Sequence, residues 1–364
     1  MHSRVKVGLV GCGAIAPAYM ENLGGNLSSG LEVVACSDLN HELAVKLAEK
    51  YGIAKACPTE VLLADPEIDL VLNLTPAPAH LAVSTMILQA GKHLFSEKPL
   101  CLDLGDAARL LDLARSRGLS VGGAADTFLG AGLQMARRLI EDGRIGEPVA
   151  CTTLVSIPMR QNRRYHQVFK GTVLDLGPYY VTALVHLFGP VRRVVGLAPV
   201  RSPTKIDAAS GETFELERAS TAAAVLEFES GVTSTFLASE DVHGYFPRVE
   251  VFATTGRMTL SDANAYSGPI KVETHSGSET IEPGPGDGYV SPKRGLGVAE
   301  MAAALKAGRE PLANGDLMLH TLEILLAIHR ASETRTCTEI ASRAKQPRLL
   351  AQGEIVVVPA GPDQ

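Results

Sequence analysis

The stretch 5-VKVGLVGCGAIA-16 runs from an apolar segment of strand length into a glycine-rich turn and then into helix-like sequence. Gly11, Gly13 and Ala16 fit the pattern G-x-G-x-x-G/A. Each position has a physical task. Gly11 permits the tight turn, Gly13 lets backbone approach a pyrophosphate, and Ala16 is small enough for close helix–strand contact. Ala14 and Ile15 fall at the start of the helix, whose free N–H groups suit phosphate. Pro17 lies early in that helix, where it does least harm.

The same alternation continues outward from this stretch. Strand-length apolar runs are 31-LEVVACSD-38, 68-IDLVLNLT-75, 93-HLFSE-97 and 119-LSVGGA-124, with helix-like segments at 14–23, 40–51, 78–90 and 103–117. Near-continuous apolar strands alternating with helices predict a parallel sheet covered on both faces, a doubly wound α/β domain. After about residue 145 strands follow one another: 149-VACTTLVSI-157, 191-VRRVVGLAPV-200, 222-AAAVLEFES-230, 232-VTSTFLASE-240 and 248-RVEVFATT-255. The turn 229-ESGV-232 reads as a hairpin. Strands without crossover helices predict an antiparallel sheet, and helices are expected near 296–308 and 315–333. The Gly/Pro-rich segment 281–295 reads as a loop. The expected domains are 1–125, binding a dinucleotide, and 126–364, an α+β domain that binds substrate and mediates oligomers.

Composition bounds the function. The 364 residues are 46% hydrophobic and 20% charged, as in a soluble globular protein, and the net charge of −6 argues against nucleic-acid or anionic-membrane partners. No apolar run has membrane-spanning length, and the N-terminus lacks a signal-peptide layout. The six cysteines show no CxxC pair or metal-ligand spacing, so reduced thiols, a cytoplasmic location and no metal are expected.

Asp38 closes the second predicted strand, 27 positions after Gly11. A carboxylate there accepts hydrogen bonds from ribose hydroxyls and repels a 2′-phosphate, which favours NAD, with NADP as the alternative. A helix N-cap is the plainer role for the same residue. The run 174-LDLGPYYVTALVH-186 carries Asp175, Tyr179, Thr182 and His186 at offsets 0, 4, 7 and 11, one stripe of a helix capped by Asp175. Tyr180 points elsewhere and reads as packing, and His186 as a polar edge or domain-contact residue.

With the fingerprint, 73-NLTPAPAH-80, 96-SEKPL-100, 138-RLIEDGRIGEPV-149 and 175-DLGPYY-180 resemble the Gfo/Idh/MocA family in order along nearly the whole chain. The resemblance implies a Rossmann domain plus an open-faced, mostly antiparallel sheet, with the active site between them. It also implies hydride transfer between a nicotinamide cofactor and a sugar, polyol or related carbonyl compound. Two departures stand out. The last motif position, often His, is Tyr179 here, and the usual Arg-rich stretch reads 123-GAADTFLGAG-132.

Within that frame the chemistry assigns roles. Oxidising an alcohol needs a base for the hydroxyl proton, and the reverse reaction an acid. Lys98, at a strand's C-terminal end, suits a substrate oxygen; Asp175 and Tyr179, at i and i+4, suit orientation and proton transfer. A Lys98–Pro99 bond in the cis form would fix the lysine's direction. Thr182 extends the row toward substrate. Glu97 assists at the nicotinamide end, and Thr75, Pro76 and His80 belong to a segment resembling a cofactor-lining loop. In the basic stretch 160-RQNRRYHQVFK-170, read as a loop, Arg163, Arg164 and Tyr165 are candidates for substrate recognition. His320 and Glu323 are weaker candidates for the same cleft. Homodimers or homotetramers built through the C-terminal sheet are expected. An NADP-dependent ketone, aldehyde or dihydrodiol-type reductase is a competing activity; a non-catalytic NAD(P)- or sugar-sensing regulator is the competing class.

Overall fold

The computed structural model describes residues 4–25, 27–157, 162–200, 203–284, 287–290 and 294–355. The chain forms two compact units that interleave along the sequence. The first takes residues 1–126, 292–318 and 350–364, the second 127–291 and 319–349. A single cut at 125/126 is thus corrected. The returning segment joins the first unit through backbone and side-chain packing on its edge strand. Gly123 N–H donates to the Ala313 carbonyl (2.9 Å), and a Cβ on Gly122 would sit 2.9 Å from Met301 Sδ.

The first unit contains strands β1 (Val5–Val10), β2 (Leu31–Ser37), β3 (Lys55–Ala56), β4 (Leu70–Asn73), β5 (His93–Ser96) and β6 (Val121–Gly123). Its helices are α1 (Ala16–Leu23), α2 (His41–Tyr51), α3 (Thr59–Ala64), α4 (His80–Gln89) and α5 (Leu104–Ser116). The strand order is β3-β2-β1-β4-β5-β6, all parallel. β4 is buried along its whole length, as a strand covered on both faces must be.

The second unit begins with α6 (Ala131–Glu141), β7 (Pro148–Ser156), α7 (Arg163–Phe169), α8 (Thr172–Asp175) and α9 (Gly177–Phe188). Then follow β8 (Val191–Leu197), β9 (Thr204–Ile206), β10 (Thr213–Glu215), β11 (Thr221–Phe228), β12 (Thr233–Ser239), β13 (Arg248–Ala253), β14 (Gly256–Leu260), β15 (Ile270–Thr274) and β16 (Gly277–Ile281). Helix α10 (Leu296–Lys306) belongs to the first unit; α11 (Gly315–Thr334) passes from the first set of residues to the second, and β17 (Thr338–Glu339) ends the series. The large sheet runs β16-β15-β14-β13-β7-β12-β11-β8-β17. It is antiparallel except where β12 lies parallel to β7, in keeping with the mostly antiparallel sheet expected. Strand succession fixes neighbours such as β11 and β12, joined by the expected hairpin. It does not fix pairs distant in the chain.

Burial alternates along β12 from Thr233 to Ala238: Ser234, Phe236 and Ala238 face inward, while Thr233, Thr235 and Leu237 face out. The inward face is covered by α9, every residue of which is buried. Gly177 makes this layer thin, because a Cβ there would meet Leu325 Cδ2 at 2.7 Å. Among the described residues no helix is long and apolar enough to cross a membrane.

Candidate active site

The first unit builds a dinucleotide crevice from the turns after β1 and β4. Gly11 has φ near 100°, and a Cβ on it would lie 2.7 Å from both the Leu74 carbonyl carbon and Thr75 N. No side chain fits between these two turns. The chain leaves β1 and β4 toward opposite ends of the sheet, the switch point at which α/β sheets bind ligands. Gly13 and Ala14 are exposed, and a Cβ on Gly13 would meet nothing within 4 Å. Helix α1 starts behind them with Ile15 at its N-cap, no side-chain cap and Pro17 in its first turn.

Asp38 faces this turn. Its Oδ2 accepts the Cys12 N–H and its Oδ1 the Asn40 N–H, both at 2.8 Å. Asn40, not Asp38, caps α2. The half-buried Asp38 carboxylate therefore stands at the fingerprint, as a ribose-binding role requires.

At the ends of β4 and β5, Thr75 Oγ1 donates to Asn73 Oδ1 (2.7 Å), while Pro76 is exposed. His80 departs from expectation. It is 1% exposed, and both ring nitrogens face backbone carbonyls, so it offers no ring nitrogen to a cofactor. Glu97 is also turned inward: Oε1 accepts the Tyr19 hydroxyl (2.7 Å) and Oε2 the Lys98 N–H (3.1 Å). It orients the lysine's backbone. Lys98 itself is 8% exposed at the C-terminal end of β5, and the Lys98–Pro99 bond is cis.

In the second unit the polar stripe divides. Asp175 does not cap the long helix; it ends the short α8, and α9 starts beyond Leu176 with Pro178 in its first turn. Pro178 has no N–H to continue the hydrogen-bond ladder, which explains the break. Asp175 Oδ2 accepts the Tyr165 hydroxyl at 3.0 Å. Tyr165 thus lies on α7, a helix where a loop was expected, and its phenol is pushed up in pKa, first by burial and then by Asp175. Residues 160 and 161 of that basic stretch lie outside the described residues.

The Arg163 guanidinium is committed to Glu212 (3.1 Å) and the Thr213 carbonyl (2.6 Å), which leaves Arg164 as the exposed arginine of the pair. Thr182 meets Thr321 on α11 at 3.2 Å rather than extending the row outward. Tyr180 does more than pack, because its hydroxyl donates to Asp262 Oδ1 at 2.7 Å. His320 and Glu323 are structural: His320 Nε2 accepts the Val191 N–H (3.0 Å), and the Glu323 carboxylate accepts the N–H groups of Ala341 and Ser342.

Sequence reasoning missed a buried cluster beside Asp175. Glu240, 2% exposed, accepts the Thr172 hydroxyl (3.0 Å) and lies 3.2 Å from His166 Nε2. Burial pushes its carboxyl up to about 7. No spacing rule links a strand-end glutamate to a motif 65 positions earlier; only the β12–α8 packing does.

His186 is a core residue, not an edge: it is fully buried and tilted against Phe128, with ring centroids 5.2 Å apart. Burial, then the Arg137 charge, lowers its pKa to about 3; burial also lowers His320 and His329 to about 4. These rings fold neutral, whereas in the unfolded chain they take up protons below about pH 6.5. Their stabilisation is therefore complete above that pH and is lost as pH falls toward 3. His186 alone accounts for on the order of 4 kcal/mol at the acid end. Urea midpoints should drop between pH 6.5 and 4, and His186→Phe should flatten the slope; an unchanged slope would disprove the assignment.

A glycine-rich crevice at the switch point, a carboxylate hydrogen-bonded to its turn and a buried lysine just beyond a strand end are features of the dinucleotide-dependent oxidoreductases as a class. The family comparisons agree. Residues 5–123 match the model described as "Oxidoreductase family, NAD-binding Rossmann fold", and residues 133–259 match the "GFO/IDH/MocA C-terminal domain". The chain is 30% identical over 292 residues to a dTDP-3,4-didehydro-2,6-dideoxy-alpha-D-glucose 3-reductase of Streptomyces violaceoruber, covering 76% of this chain and 79% of that one. It is 27% identical to a myo-inositol 2-dehydrogenase of Thermotoga maritima, covering 70% and 74%. An NAD-binding oxidoreductase structure from Klebsiella pneumoniae shares the fold with a TM-score of 0.82 at 21% identity, over 93% of this chain and 99% of that one. The chain belongs to the Gfo/Idh/MocA family of NAD-binding oxidoreductases.

Proposed function

We propose that this enzyme moves a hydride between NAD and a sugar, polyol or related hydroxyl or keto compound, with Lys98 and Tyr179 handling the proton and Asp175 positioning them. The observation that carries this reading is Lys98: a buried lysine at the C-terminal end of β5, its backbone held by Glu97, on the rim of the cofactor crevice. A nicotinamide cofactor supplies or takes the hydride when bound. Gly11, Gly13, Ala14 and Ile15 would hold its pyrophosphate, Asp38 its ribose, and Thr75 and Pro76 its far side. An ammonium at Lys98 stabilises negative charge developing on a substrate oxygen, and a phenol at Tyr179 passes the proton on. The test is a panel of sugars, polyols and glycosides with NAD⁺ and NADP⁺, read by nicotinamide absorbance. Turnover of a sugar-like alcohol supports the reading; binding of sugars without turnover makes the chain a sensor.

The preference for NAD rests on Asp38. Its carboxylate repels a 2′-phosphate, so NAD(H) should bind more tightly than NADP(H). Asp38→Ala should narrow the gap by weakening the first and relieving the second. Equal dissociation constants in the unaltered protein would overturn the preference. Six free cysteines support a reducing, cytoplasmic setting.

Association through the large sheet is the matching proposal for assembly. Its outward face presents Val195 and Leu197 on β8, Val225 on β11, Leu237 on β12 and Phe252 on β13, between 37% and 65% exposed. Neighbouring strands bring these side chains together, for example Val195 beside Val225, and a contiguous apolar face of this kind is buried in soluble proteins. Charged groups such as Arg193 with Glu227, and Arg257 with Glu273, flank it. Light scattering should give a dimer or tetramer at micromolar concentration, and Leu237→Arg should reduce its mass; a monomer in the unaltered protein refutes the interface.

A further inference from the structure

His80 poses a problem of donor count. Its Nδ1 lies 2.6 Å from the Pro99 carbonyl oxygen, and its Nε2 lies 2.7 Å from the Thr75 carbonyl oxygen. Carbonyl oxygens only accept, whereas a neutral imidazole has one N–H to give. A neutral ring would hold a nitrogen lone pair against an oxygen lone pair at 2.6 or 2.7 Å, a gap that admits no water, in a site where the residue is 1% exposed. Turning the ring over does not help. It would put carbon where nitrogen stands, and C–H groups approach oxygen only to about 3.3 Å. Both contacts are made at once only by an imidazolium.

The surroundings divide on this point. Burial, the largest influence, lowers the ring's pKa, and the Lys98 charge acts the same way. The two carbonyls and the Glu97 charge raise it. These are the charged groups that act on the ring. We give the donor count priority over the burial penalty, because two ion–dipole hydrogen bonds at these distances are available only to the charged form.

The position of the ring gives the charge a purpose. Thr75 is held from both sides: Asn73 Oδ1 accepts its N–H (3.2 Å) and its hydroxyl, and His80 takes its carbonyl. Pro99 directly follows Lys98. One ring therefore joins the turn after β4 to the segment after β5.

We propose that His80 is an imidazolium at neutral pH and a positioning residue, tying the cofactor-lining turn at Thr75 to the Lys98–Pro99 segment so that the two keep a fixed spacing. The positioning role rests on the functions proposed above for Thr75 and Lys98; the protonation state does not.

Neutron diffraction from deuterium-exchanged crystals near neutral pH reads that state directly. Nuclear density for deuterium on both ring nitrogens is expected, and density on only one overturns the proposal whether or not a sugar is ever found to react. For the positioning role, His80→Gln retains bulk and one donor group but cannot span both carbonyls. NADH affinity should fall roughly tenfold, the scale of one lost charge-assisted hydrogen bond. The unaltered enzyme should lose turnover as alkali strips the ring, and the variant's pH profile should lack that step. His80→Gln with unchanged NADH affinity and an unchanged pH profile overturns the positioning role. NADH binding is measured without substrate, so a failed sugar panel would count against the proposed reaction and leave this result standing.

Discussion

Tyr179→Phe should lower turnover by roughly 10²–10⁴-fold, the usual worth of a positioned proton donor or acceptor. The substitution retains the ring, which is buried at 4% exposure, and deletes only the hydroxyl. NAD affinity should change little, because Asp38 and the Gly11–Gly13 turn are untouched. Lys98→Met should be at least as damaging, since it removes the cation that the developing charge requires. The double variant should be far less than multiplicative, as for residues that act as one unit. Near-normal turnover of Tyr179→Phe on its true substrate would remove the phenol from the mechanism. Lys98 would then be the remaining candidate for the proton.

Substituting either glycine of the fingerprint should weaken cofactor binding, but only one substitution should destabilise the apo protein. Gly11→Ala places a methyl group 2.7 Å from the backbone on either side of the Leu74–Thr75 bond, at a φ of 100° that L-residues avoid. Strain and overpacking together cost about 2–6 kcal/mol. The apo protein should lose thermal stability and the cofactor should bind poorly, because the turn after β4 must retreat. Gly13→Ala meets nothing within 4 Å, so apo stability should hold. Cofactor affinity should still fall, since the methyl group occupies the approach to a pyrophosphate. Calorimetric melting of the apo forms, paired with NADH titration, separates the two. A Gly11→Ala protein that melts and binds like the parent would refute the close approach of the two turns.

These contrasts show which features the sequence made legible. The strands β1, β2, β4 and β5 read as apolar runs because both faces of the parallel sheet are covered. In contrast, β14, β15 and β16 were missed because their outward residues are charged or polar, such as Arg257, Lys271, Glu273 and Ser278; only alternate residues of β14 and β15 enter the core, and none of β16 is buried. The nucleotide turn was legible because glycine requirements are local. The polar stripe at 175–186 was legible only in part. Its period was helical, yet Pro178 breaks the ladder, Thr182 turns to Thr321 and His186 enters the core. Tyr165 and Glu240 reach Asp175 and its neighbour Thr172 from elsewhere in the chain. Such contacts follow from tertiary packing, which no spacing in one sequence encodes.

The parallel pairing of β7 with β12 bears on how the polypeptide reaches this state. β7 lies inside the nine-stranded sheet, yet both its partners come late: Ala150 pairs with Thr233, 83 positions on, and Leu154 with Arg248, 94 positions on. On the ribosome β7 emerges with no partner and must wait for some eighty residues of loop to be synthesised and closed before either edge is satisfied. Closing long loops delays productive encounter far more than it lowers final stability. During that interval Val149, Val155 and their neighbours form an unpaired β-edge, the kind of segment that chaperones shield and that nascent chains misjoin. Premature termination anywhere before residue 253 leaves the central strand of the second unit without a complete pair of neighbours.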